Sequence, residues 1–148
     1  MAASVVKRSR VLDEVDAEAE VPYEETRLAR GAARARPRVA LLLLLGAGGL
    51  ALEALAQRDA LWLAPAAFVL ASAWGARRGA LAGVIGAALV ALLAVFLPLG
   101  LAALGVDDPA GWVAIVACVA WGIALAPGVL TLVRDAELQH AYGRWARR

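Results

Sequence analysis

Cysteine occurs once, at Cys118, inside an apolar run. No disulfide can form within the chain, and no cysteine cluster can hold a metal. Histidine also occurs once, at His140 near the C-terminal end, which argues against a buried haem with histidine ligation. The chain has no Ser–His–Asp set, no paired carboxylates, no HExxH and no P-loop. The run Gly46-Ala-Gly-Gly49 is not a phosphate loop, because it sits within a long apolar segment. No catalytic, cofactor-binding or metal site is therefore read from the sequence, and the chain is expected not to be an enzyme.

Charge is the other scarcity, and its placement is informative. Between Val39 and Val133 the only charged residues are Glu53, Arg58, Asp59, Arg77, Arg78, Asp107 and Asp108. Residues 1–38, by contrast, hold eight of the 15 basic and seven of the 13 acidic residues. The whole is 62% hydrophobic, against about 45–50% for an ordinary soluble domain. The layout is a charged tail followed by a hydrophobic body.

An apolar helix of about 20 residues spans the hydrocarbon core of a bilayer. Four such stretches can be cut: 37–56, 60–76, 79–104 and 109–133. They are too long for barrel strands and lack a period-two alternation. The links between them are a few residues long, which makes successive helices antiparallel neighbours. The fold class predicted is an all-α integral membrane protein: an antiparallel bundle of four transmembrane helices (37–133), preceded by a charged cytoplasmic tail (1–36) and followed by a basic one (134–148). Pro37 is expected to open the first helix and Pro98 to end or kink the third.

Positive charge beside short loops stays on the cytoplasmic side. With both termini inside, every basic residue except Arg58 lies on that side; the opposite orientation breaks the rule at every loop. The expected location is the plasma membrane. Arg34, Arg36, Arg38, Arg77 and Arg78 then anchor the inner surface, with Trp74 in the inner aromatic belt and Trp62 and Trp112 in the outer one. The spacing Gly79-x-x-x-Gly83, continued by Gly86, is a small-residue face suited to close helix packing, within one bundle or across a dimer. Trp121 lies mid-membrane, where its indole N–H needs an acceptor; a carbonyl freed by Pro127 is the expected one. Ser72 and Thr131 can bond to carbonyls of their own helices.

Glu53 is the one acidic side chain within an expected crossing. It falls within a turn of the outer end, with Gln57 and Arg58 close by, and reads as an interfacial acid. A coupling carboxylate is the alternative. In the tails, residues 9–20 place Val11, Leu12 and Val15 on one helical face, and Leu138, Tyr142 and Trp145 could turn toward the bilayer. The partners expected are the lipid bilayer and its anionic headgroups, with another membrane protein or a second copy of the chain beside them. Nucleic acid is not expected, because acidic residues intersperse the arginines. The functional expectation is a non-enzymatic accessory or interaction subunit of a membrane assembly. The alternative is a small homo-oligomeric transporter or channel using Glu53.

Overall fold

Leu, Ala and Arg dominate the chain, and these are strong helix formers. Glycine stands at two of the places where the backbone turns, Gly79 and Gly105, and Pro109 opens the last helix. The computed structural model describes the backbone of residues 2–58, 60–105 and 109–145, and the side chains of 27–58, 60–105, 109 and 111–141. All regular structure among them is helical: α1 (Ala2–Gln57), a single 3-10 turn (Ala60–Trp62), α2 (Leu63–Arg78), α3 (Leu81–Ala103) and α4 (Pro109–Trp145). Each of the four helices carries a segment long and apolar enough to cross a membrane. The side chains of 9–20, and Asp59, Asp107, Asp108, Tyr142, Arg144, Trp145, Arg147 and Arg148, lie outside the described residues, so expectations resting on them are not addressed.

The helices form a closed ring in which each touches two neighbours: α1 with α2, α2 with α3, α3 with α4, and α4 with α1. Contacting residues run in opposite order along the partners. Gly31 faces Thr131, Gly128 faces Val39, and Gly46 faces Trp121, so α1 and α4 are antiparallel. Gly75 meets Gly83, and Ser72 meets Gly86, so α2 and α3 are antiparallel too.

Several boundaries differ from the sequence expectation, each for a visible reason. α1 does not begin at Pro37; it runs through it. Ala32 and Ala35, one turn earlier, are buried with Val39 and Leu43 in the same core, so packing carries the helix past the proline. α3 does not stop at Pro98, which is buried within it, and extends to Ala103. Unwinding there would leave backbone groups without partners in an apolar setting. α4 likewise continues through Pro127. The first connection is made by Arg58, whose φ of 53° ends α1 in the left-handed region.

The second connection is a Schellman motif. Gly79 adopts φ 72° and ψ 17°, and its N–H donates to the Ala76 carbonyl at 3.2 Å while the Ala80 N–H donates to the Gly75 carbonyl at 2.9 Å. Gly79 is thus the turn residue between α2 and α3. The expected Gly79–Gly83 helix face is not formed, because the first glycine lies outside both helices. The face that does form is Gly75 against Gly83: a Cβ on Gly75 would lie 2.6 Å from the Gly83 Cα, so the two backbones touch. Gly86 continues the contact by giving room to Ser72.

The interior is built of small side chains. Ala73, Ala76, Ala87 and Ala91 are buried together with Val69, Val84, Val90, Leu125, Val129 and Leu132. Large apolar residues such as Leu45, Leu52, Phe68, Phe96, Val116 and Ile123 face outward.

Gly83→Leu should disrupt the α2–α3 crossing and lower unfolding stability in detergent by about 1–3 kcal/mol, the usual cost of overpacking. Gly49→Leu is the matched control, since nothing lies within 4 Å of its added Cβ. Thermal unfolding followed by circular dichroism separates the two. Equal effects would mean that the glycine crossing does not hold the bundle.

Candidate functional site

Polar side chains gather at the two ends of the bundle and at one place between. At one end α1, α2 and α4 converge on Arg36. Its Nη2 donates to Asp135 Oδ2 at 3.1 Å. Gln139, one turn further along α4, donates its Nε2 to the same oxygen at 3.1 Å. The guanidinium lies over Gly79: a Cβ there would come within 3.1 Å of the Arg36 Cζ. The absent side chain lets the cation rest on the C-terminus of α2, where the last carbonyls carry partial negative charge. Arg36 Nε is buried without an acceptor.

This pair is semi-buried, with side-chain exposures of 32% for Arg36 and 12% for Asp135. Desolvation is therefore partial, and loss of one partner should cost about 1–3 kcal/mol rather than the larger penalty of a fully buried charge. Asp135 was missed by sequence reasoning, which left it in the C-terminal tail. A signal was present: Leu125, Val129 and Leu132 form a buried stripe whose next turn is Asp135, and Arg36 is one turn before Val39 on α1. The α4 stripe ends in one charge, and the α1 stripe carries one of opposite sign between Ala35 and Val39.

The remaining arginines at this end turn outward. Arg34, Arg38, Arg77 and Arg78 are exposed, whereas Arg36 is not free to anchor at a surface in the same way. Trp74 is also exposed, and Arg78 stacks on its ring with the guanidinium carbon 4.1 Å from the centroid.

Midway along the bundle, Trp121 Nε1 donates to the Leu42 carbonyl at 2.9 Å. The acceptor is thus on α1, not beside Pro127. Gly46 makes this possible, because a Cβ there would overlap the indole. The Leu42 carbonyl has a second lone pair beyond the one its own helix uses. Thr131 donates its hydroxyl to the Pro127 carbonyl at 2.8 Å, the expected back-bond within its own helix. Cys118 is exposed on α4.

At the far end, Glu53 is exposed and accepts a hydrogen bond from Gln57 on the next turn. Trp62 and Trp112 are exposed near the starts of α2 and α4. Glu53 lies 17 residues beyond Arg36 on one helix, about 26 Å away, so the two polar ends stand nearly a hydrocarbon thickness apart. Among the described residues no three or more His, Cys, Asp and Glu side chains are grouped to hold a metal ion. No family model matches the chain, and no curated protein or solved structure matches it at a significant level.

A double-mutant cycle tests the Arg36–Asp135 contact. Arg36→Ala and Asp135→Ala should each lower stability by about 1–3 kcal/mol, and the double variant should lose clearly less than the sum. Strict additivity would show that the pair does not interact. Gly79→Ala should also destabilise, by about 1–2 kcal/mol for the left-handed turn, and weaken the coupling by lifting the guanidinium.

Proposed function

We propose that the chain is a multi-pass protein of the plasma membrane, with both termini cytoplasmic, acting as a non-enzymatic accessory or interaction subunit of a membrane assembly. The carrying observation is the inverted distribution of side-chain size. Alanine, glycine and valine make up most of the interior, with Leu43, Leu125 and Leu132 the only leucines buried among the described residues, while Leu45, Leu52, Phe68, Leu92, Phe96, Val116 and Ile123 form an exposed apolar belt. Water does not tolerate a belt of that extent, whereas lipid or a membrane partner does. The charge pattern supports the orientation. Arg34, Arg36, Arg38, Arg77, Arg78 and Arg134 lie at the end given to the cytoplasm, and among the described basic residues Arg58 alone lies at the other.

Support for the accessory role comes from how the interior is used. Helix contacts at Gly75–Gly83, Gly46–Trp121 and Gly128–Val39 set a backbone, a ring and a valine methyl directly against a glycine. Glu53 is held by Gln57 on the exposed side of α1, which suits an interfacial acid. A bundle packed in this way offers its outer surface and its charged end to partners.

The topology is tested in a Cys118→Ser background with single cysteines at Arg30, Arg58 and His140. A membrane-impermeant maleimide added to intact cells should label the Arg58→Cys protein only. External labelling at either of the other positions would overturn the orientation. Purification from native membranes in mild detergent should yield a stoichiometric membrane-protein partner. A homodimer alone, together with proton-linked flux in vesicles that Glu53→Gln abolishes, would replace the accessory role with a transporter.

A further inference from the structure

The groove between α1 and α4 has a composition that the bundle itself does not use. Its volume is about 430 Å³. Arg34 and Arg38 stand on its α1 side, one helical turn apart, and Val39, Leu42, Ala124 and Pro127 form its apolar length. The residue between the two arginines, Arg36, is committed to Asp135. The arginine run is thus divided: one guanidinium is neutralised inside the bundle, and two are presented at the groove. Among the described residues neither Arg34 nor Arg38 makes an ion pair, and no carboxylate lines the groove. Gly31 and Gly128 bring α1 and α4 close enough to form the floor, since added Cβ atoms would meet Thr131 and Val39.

We propose that this groove seats one anionic phospholipid, with its phosphate between Arg34 and Arg38 and an acyl chain lying along Val39, Leu42, Ala124 and Pro127. The inference rests on the membrane reading above and adds a specific lipid site to it. Two guanidiniums one turn apart match a phosphate carrying several acceptor oxygens. The groove runs from Arg34 to Leu42, about 12 Å along α1, and the half beyond Arg38 carries no charge. That extent suits a headgroup joined to a hydrocarbon chain. A free phosphate would leave the apolar part empty, and an acidic protein helix would find cations along only half of the groove.

The full chain in neutral detergent is titrated with phosphatidylglycerol and, separately, with phosphatidylcholine, and bound lipid is counted by native mass spectrometry. One phosphatidylglycerol should be retained in preference to phosphatidylcholine. Arg34→Gln/Arg38→Gln should weaken retention about tenfold or more, as expected for two basic groups near the headgroup. Arg77→Gln/Arg78→Gln removes the same charge from the same end and should change it less than twofold. Ala124→Trp, which fills the groove and spares both arginines, should also reduce retention. The site is overturned if both double variants act alike, if Ala124→Trp binds normally, or if millimolar inorganic phosphate displaces the lipid. Thermal unfolding of each variant confirms that exposed positions were changed without loss of fold. The membrane reading fails on a different result: release of the chain from membranes by alkaline carbonate.

Discussion

α1 and α4 are the first and last helices of the ring, and no short connection joins them. In the proposed membrane setting the hydrophobic effect does not press one apolar helix on another, so packing and polar contacts must hold the ring shut. Three contacts share that task. Arg36 pairs with Asp135 at one end, Val39 fits against Gly128, and Trp121 enters the Gly46 notch to reach the Leu42 carbonyl. The ion pair is the most directional of them. It fixes the register of α4 on α1 and also seats the guanidinium on the α2 terminus through Gly79. One side chain thereby ties three of the four helices.

The same arrangement explains why Gly79 matters in a way that a spacing motif does not convey. Four-residue spacing of glycines looks alike on the page whether both lie in one helix or one lies in a turn. Here Gly75, Gly79 and Gly83 are evenly spaced, yet the first and last touch across the hairpin while the middle one makes it. The turn residue brings the two crossing residues opposite each other. The contact is consequently inside one chain, which leaves the outward faces of α2 and α3 exposed.

The number of helices, their apolar character and the positions of the three connections were legible because length and composition decide them, whereas the start of α1 at Ala2 and the end of α4 at Trp145 lie well beyond the apolar runs. Four runs of sufficient length, broken only by QRD, RR and GVDD, admit few other readings. Pro37 misled, since it predicts a helix start from local geometry alone, whereas the third run, read through Pro98 to 104, does continue past it. Ala32, Ala35 and Pro98 are all buried, and that packing outweighs the local preference. Asp135 was hidden for a different reason. It lies just past the last apolar residue, where a charge is ordinarily read as the start of a tail, and its partner is 99 residues away. Its face on the helix, continuous with Leu132 and Val129, distinguishes it from its neighbour Arg134, and only that periodicity could have revealed it. Trp121 shows the limit more plainly. Its need for an acceptor was readable, but the acceptor is a backbone carbonyl on another helix, and no side chain announces it.

The central claim is that α1 closes against α4 within a single chain at this register. It is tested most directly by replacing Val39 and Gly128 with cysteine in a Cys118→Ser protein and oxidising it in native membranes under mild conditions. The Val39 side chain already occupies the place a Gly128 Cβ would take, so an intramolecular disulfide should form readily, detected as a shifted monomer band that reductant reverses. A pair displaced by one turn, Val39 with Ala124, should cross-link much less. Cross-links that join two chains, or equal yields for both pairs, would contradict the closed ring and the account built on it.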